Sequence, residues 1–478
     1  MTETISTEVG AERSAVLRGA DGWLDTLQDW VRIPSVSADP EHRTDVAASA
    51  HFFADQLRAR GFPEVEVLED GPYLPAVLAH WPSGDPDAVR VVVYGHHDVQ
   101  PADGEHRWTH PPFEPQIIDG VLHGRGASDD KGNIAMHLLG LDAHLAATGR
   151  TAPAVDLTML VEGEEESGSP HIMELLERYR GRLAADLVVV SDTGIFGPRT
   201  PSVCIGMRGL VAGEIHVHGP DIDLHSGSFG GSVPNPIAEL SRILAALHDD
   251  NRRIAVPGFY DGVIDPTETE RAATAALPFD EQEWITGPAA SRVAAGEAGW
   301  STLERVGARP TAEINGIWGG YTGPGNKTIV PTDAYAKLTF RLVGRQDPAT
   351  IMRQVTDYVQ SIARPGVTVE IRWEGGGVAP LYVDTTHPAT TATRKALGLA
   401  FDVPADDVLM TREGGSGPEA ELADVIGAPL VFLGVMTDAD QIHAPNESAP
   451  VSLLLKGCEA VAHLWRELAD LGRAGLRQ

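Results

Sequence analysis

The sequence predicts an α/β fold: a domain discontinuous in sequence, interrupted in its middle by a smaller α+β domain. Three observations predict it. Apolar strand-like runs alternate with amphipathic helix-like segments through the first two hundred residues. After Gly206 the strands change to an in–out alternation of apolar and polar positions, and after Gly375, Gly376 and Gly377 the first rhythm returns. Finally, 478 residues exceed the roughly 250–300 that one hydrophobic core organises.

Taken in order, residues 15–33 and 46–60 carry helical periodicity. Continuous apolar runs at 89–94, 155–161 and 187–190 read as buried strands, with a helix over 134–147 between the first two. That is the βαβ rhythm of a mostly parallel sheet. In the middle region, 214–218 alternates as a strand, and a helix over 236–247 starts behind Asn235 as N-cap with Pro236 at its first position. Residues 337–343 alternate again, Asp347 and Pro348 open a helix towards 362, and 367–373 alternate once more. Residues 251–309, rich in Ala and Glu, are expected to be a helical insert. The last region contains a helix over 389–399, a strand at 430–434 and a closing helix over 453–471. The expected domains are therefore 1–207 with 378–478, and 208–377 inserted between them.

Composition narrows the function. A formal net charge of −31 repels phosphate backbones and anionic lipid head groups, which excludes nucleic acid and membrane surfaces as natural partners. The same excess suits carboxylates gathered around divalent cations. Cys204 and Cys458 are the only two cysteines, far apart and in apolar runs, so neither a disulfide framework nor a thiolate metal site is expected. Residues 1–14 are acidic and polar without a basic or apolar leader, and no apolar run approaches the ~18–20 residues of a membrane span. A cytoplasmic protein is expected.

Candidate metal ligands sit just past the carboxyl ends of the expected strands, where α/β sheets place their sites. Tyr94-Gly95-His96-His97-Asp98 follows the first; along an extended chain His96 and Asp98 point the same way, so Asp98 can fix the tautomer of a ligating His96. Spacing alone leaves His97 open for the same role. Asp129 and Asp130 precede the next helix; Glu164, Glu165 and Glu166 follow the second strand; Asp192 follows the third; His443 follows the strand at 430–434. Three successive glutamates repel one another, and a dinuclear site explains them: one carboxylate ligates while a neighbour is freed to act as base. Five such groups at successive strand ends, all oxygen or imidazole donors, form one constellation.

Six stretches then carry a resemblance: residues 94–102 (YGHHDVQPA), 124–132 (GRGASDDKG), 162–169 (EGEEESGS), 223–232 (DLHSGSFGGS), 340–343 (FRLV) and 411–416 (TREGGS). In this order the chain resembles the carnosinase-type dipeptidases of the aminoacylase, acetylornithine deacetylase and succinyl-diaminopimelate desuccinylase superfamily of metallopeptidases. The resemblance implies a di-zinc aminopeptidase-like catalytic domain, its mixed sheet flanked by helices, with an inserted lid and dimerisation domain. It implies two divalent ions, zinc in the first place and manganese or cobalt as alternatives. His96 and Asp192 would hold one, Glu166 and His443 the other, and Asp129 would bridge both across a cis Asp129–Asp130 peptide bond. Asp98 would orient His96, and Glu165 would be the general base. His225 would stabilise the oxyanion from the partner subunit of a homodimer, Arg341 and Ser416 would grip a substrate carboxylate, and Glu413 would lie near the free amine. The implied substrate is a dipeptide. The competing readings are an N-acyl-amino-acid deacylase and a non-catalytic binding relative; the long insert and the TREGGS segment favour the dipeptidase.

Overall fold

A computed structural model describes residues 2–102, 104–287 and 289–477, with the backbone alone for 2–9 and 105. The chain divides into two compact units. The first runs to Ile205 and resumes at Val383–Thr411 and from Gly417 onward; the second is Gly206–Tyr382 with the short segment Arg412–Ser416. The Gly375–Gly377 break expected at the border lies inside the second unit, because the chain beyond it still pairs there: Val378 bridges Leu210, and Leu381 lies opposite Met207.

In the first unit a six-stranded sheet has the order Glu64–Leu68, Ala76–Trp81, Asp156–Glu162, Arg90–His96, Leu187–Val190, Leu430–Phe432. The last four strands are parallel, and the first two join antiparallel, so the sheet is mixed. Register aligns the parallel strands at one end: His96 lies beside Glu162, and Tyr94 beside both Leu160 and Val190. Val91, Val93, Val188, Val189 and their neighbours are fully buried, as continuous apolar runs covered on both faces must be. Helices Thr2–Val31, Arg43–Ala59, Lys131–Thr148, Pro388–Phe401 and Val451–Gly475 provide the cover, with Trp23, Trp30, Phe53 and Trp465 in one core. The Lys131–Thr148 helix is buried around almost its whole first three turns, since it packs against both Thr2–Val31 and Val451–Gly475. Cys204 and Cys458 are both buried. Among the described residues no helix is long and apolar enough to cross a membrane.

The second unit holds a four-stranded antiparallel sheet in the order Thr311–Gly319, Asp333–Leu342, Gly209–His218, Thr368–Trp373. Its inward positions Val211, Ile215, Val217, Leu338 and Phe340 pack on helices Pro236–Ala245 and Pro348–Ile362. Both helices start as the sequence dictates: Asn235 Oδ1 accepts from Ile237 N at 3.0 Å, and Asp347 Oδ2 from Thr350 N at 2.7 Å. The expected helical insert is corrected. Among the described residues of 251–309, helix is confined to the short pieces Glu268–Ala275, Glu281–Thr286 and Thr302–Gly307. Pro257, Pro266 and Pro278 interrupt a composition that otherwise favours helix.

Gly132, in the first turn of the Lys131–Thr148 helix, is fixed by close approach: a Cβ there would meet the Ala127 carbonyl oxygen at 2.1 Å. Alanine gains ~1 kcal/mol of helix propensity, but forcing a methyl onto backbone costs about 1–3 kcal/mol. Gly132→Ala is therefore expected to lower the melting temperature; a rise would show that the turn opens freely.

Candidate metal centre

The parallel strands deliver their last residues to one place. His96 ends its strand fully buried. Its Nδ1 faces the Asp98 main-chain oxygen at 3.0 Å, which leaves Nε2 to point at Asp129 Oδ1 (3.1 Å), Asp192 Oδ2 (3.7 Å) and Glu165 Oε2 (4.0 Å). The other Asp129 oxygen, Oδ2, lies 3.0 Å from His443 Nε2, and Glu166 Oε2 lies 3.2 Å from the same nitrogen. One carboxylate thus separates two imidazoles. The ligand atoms of His96, Asp129 and Asp192 all fall within 4.8 Å of one another, as do those of Asp129, Glu166 and His443. The Asp129–Asp130 peptide bond is cis.

The neighbours that sequence spacing left open have other partners. His97 is turned away, with Nε2 at 2.8 Å from the Pro75 carbonyl, and burial lowers its pKa to about 4. Asp130 accepts from the His96 backbone N–H at 3.2 Å. Glu164 accepts from Leu74 N and His171 N, both at 3.1 Å. Asp98 has a second set of contacts. Its carboxylate is 3.4 Å from His96 Nδ1 but accepts from the backbone N–H groups of Glu165 (3.2 Å) and Glu166 (3.0 Å). It therefore ties the glutamate turn to the His96 strand as well as facing the imidazole.

Several supporting residues were not singled out from the sequence. Gln100 donates from Nε2 to Glu166 Oε2 at 2.6 Å and from its backbone to Oε1 at 3.1 Å. Glu447 is fully buried, and its Oε1 accepts from Ser128 N and Asp129 N at 3.0 Å each. Its Oε2 accepts from Gly126 N at 3.0 Å and Arg125 Nη1 at 2.7 Å. Glu447 thereby staples the Asp129 loop to the loop that carries His443. Asn133 links the ends of two strands: Val435 N donates to its Oδ1 at 3.0 Å, and its Nδ2 donates to Thr193 O at 3.4 Å. Their only signal in the sequence was adjacency to the ligand-bearing motifs.

Charge completes the test of whether cations fit. Burial pushes Asp192 up to about 7, with Asp129 and Glu166 adding to the rise against His96. Burial also lifts Glu165 well above the ordinary carboxylate range, with Asp192, Glu166 and Asp98 reinforcing it against His96. Asp129 is held low: burial opposes ionisation, but hydrogen bonds from His443 and His96 outweigh it. His443 rises to about 10 through Asp129 and Glu166. The protein's own side chains leave this acid cluster short of positive charge. A pair of divalent cations on hard oxygen and imidazole donors is its chemical complement.

The remaining expected residues lie in the second unit, apart from this cluster in the chain. Arg341 Nη1 donates to Ser416 Oγ at 2.8 Å, and Ser416 Oγ donates in turn to the Arg208 carbonyl. Burial lowers the pKa of Arg341, and burial with Arg341 nearby brings Arg208 to about 10. The Arg208 guanidinium is turned to the Gly414 carbonyl, with Nε at 3.3 Å, and is near enough to Arg341 to lower its own pKa. A partly desolvated Arg341 paired with a hydroxyl is a carboxylate receptor in kind; Arg208 was not foreseen. Glu413 directly follows the strand Leu409–Arg412, its N–H donating to Gly206 O at 2.8 Å. His225 is exposed, and its Nδ1 accepts from Gly227 N at 3.0 Å, which puts the ring proton on Nε2.

The sequence pattern of Peptidase family M20/M25/M40 matches residues 92–467. The chain belongs to this family. This M20 peptidase is 30% identical over 459 residues to the Cys-Gly metallodipeptidase DUG1 of Candida albicans, covering 92% of this chain and 93% of that protein. It is 30% identical over 469 residues to the human Beta-Ala-His dipeptidase, covering 94% and 91%. Its fold matches the di-peptidase Dug1p of Saccharomyces cerevisiae with a TM-score of 0.77 at 27% identity, over 97% of this chain and 98% of that one. Membership makes the protein a metallopeptidase, a hydrolase of peptide bonds that uses divalent metal ions.

Removing one partner of a buried, fully bonded ion pair costs about 3–5 kcal/mol. Glu447→Ala is expected to lower the urea midpoint accordingly at unchanged slope. A midpoint equal to wild type would remove Glu447 as the staple of the M20 site.

Proposed function

We propose that this M20 peptidase is a cytoplasmic, homodimeric dipeptidase working with two zinc ions. The observation that carries the two-metal reading is the division of the Asp129 oxygens between His96 and His443. The substrate class is supported by the whole-length similarity to a Cys-Gly and a Beta-Ala-His dipeptidase. Zinc is supported by a donor set of imidazole and carboxylate alone.

In this reading His96 and Asp192 would hold one ion, Glu166 and His443 the other, and Asp129 would serve both, while Asp98 keeps the His96 proton on Nδ1. When bound, the pair supplies polarisation of the scissile carbonyl and acidification of a water towards a pKa of ~7. Glu165, four-fifths or more buried beside His96, accepts the proton of the attacking water and returns it to the leaving amine. Its raised pKa, caused by burial and its acidic neighbours, suits a carboxyl that must hold that proton between the two steps. His225, with its proton on Nε2, donates to the developing oxyanion from the partner subunit. Arg341 and Ser416 hold the substrate's C-terminal carboxylate, with Arg208 adding charge, and Glu413 pairs with the free amine. A receptor for the C-terminal carboxylate limits substrates to short peptides.

One panel tests the reading: protein stripped of metal, then assayed with and without zinc or manganese on free dipeptides, C-terminally amidated dipeptides and N-acyl amino acids. Expected is metal-restored cleavage of the free dipeptides, with a large rise in KM on amidation. Cleavage confined to the N-acyl compounds would make the protein a deacylase, and metal-restored cleavage indifferent to amidation would remove Arg341 from its role.

A further inference from the structure

The second unit carries a cluster that the proposed chemistry does not use. His216 and His218 are alternate residues of the Gly209–His218 strand, so both project from the face opposite the packing helices. Asp333 opens the neighbouring strand directly opposite His218. Its Oδ1 lies 2.6 Å from His216 Nε2 and 2.9 Å from His218 Nδ1. One ligand atom from each of the three falls within 4.8 Å of the others, the same measure that the two catalytic clusters meet.

We propose that His216, His218 and Asp333 form a third metal site, which takes a divalent transition ion such as zinc or copper. The ligand geometry is prepared before any ion arrives. The His216 ring is stacked on Tyr335 at 4.5 Å and 7° between planes, and Tyr335 is stacked on Trp318 at 5.3 Å and 10°. His218 is half-buried, with Asp221 Oδ1 at 3.5 Å from its other nitrogen. Bonds of ~2.0–2.2 Å in a tetrahedral shell separate ligand atoms by ~3.3–3.6 Å, so a small outward rotation of the two rings admits the ion. Glu370 lies across the strand from His216, on the exposed side, and supplies a further oxygen; water completes the shell. Two imidazoles and a carboxylate select zinc and copper over magnesium or calcium. The site stands independently of the peptidase's substrate and of its catalytic ions, because every ligand belongs to this one sheet.

The test counts metal on the full-length protein carrying its own catalytic ions. Samples are dialysed against zinc, or separately copper, and metal per chain is measured. Wild type is expected to take up one equivalent more than the His216→Ala/His218→Ala double variant. Equal uptake overturns the site. Asp333→Asn, which keeps side-chain shape, guards against misfolding and is expected to lose the same equivalent; full uptake by a variant with wild-type thermal unfolding overturns it equally. Copper near His216 also lies against the Tyr335–Trp318 stack, so it should quench Trp318 emission. Quenching of equal extent in Trp318→Phe, or in the double variant, counts against the assignment.

Discussion

The carboxylate of Asp129 faces an imidazole on each side, and the surrounding structure is arranged to keep it there. Its two oxygens lie 3.1 Å from His96 and 3.0 Å from His443, residues that arrive from the end of a central strand and from a loop far down the chain. Neither histidine reaches Asp129 without the four parallel strands ending in register. The Asp129 loop is held by Glu447, whose two oxygens accept from four donors. Close approach of the Gly132 backbone to Ala127 sets where the loop gives way to helix. Lys131 turns inward from the same turn, its Nζ donating to Trp30 O at 3.0 Å and Ile33 O at 2.8 Å, while burial lowers its pKa to about 7. Local chain geometry at Asp129 is thus anchored on three sides before any substrate chemistry begins.

The electrostatics follow from that placement. Four carboxylates and two imidazoles are gathered where burial penalises every uncompensated charge. Burial lifts Asp192 to about 7 while Asp129, between two histidines, stays ionised. A hydrolase that needs both metal ligands and a proton carrier benefits from the same cluster, because similar side chains acquire different tasks from their neighbours alone. Glu164, Glu165 and Glu166 illustrate this over one turn. The first accepts backbone donors, the second faces His96, and the third faces His443 and is held by Gln100.

Much of this could be read from the sequence, and what could not has physical reasons. The central strands were legible because a strand buried on both faces is an unbroken apolar run, and Asn235 and Asp347 announced their helices through capping chemistry. The edge strand Glu64–Leu68 was not seen: it is short, follows Pro63, and pairs with Ala76–Trp81, whose Ala and His carry little strand preference. The 251–309 insert misled because composition suggested helix while its prolines divide it. At the site, residue types at strand ends gave the cluster, but alternation could not say which of His96 and His97 faced it. That depended on the Pro75 carbonyl, far off in the chain. Gln100, Glu447 and Arg208 act through partners distant in sequence, which no local pattern encodes.

The most direct measurement of the central claim is metal content per chain for wild type and Asp129→Ala, loaded with zinc and then desalted. With Asp129 shared between both clusters, the variant should lose both catalytic equivalents together while remaining folded by circular dichroism. Retention of either equivalent at wild-type affinity would contradict the shared carboxylate and leave the two clusters independent.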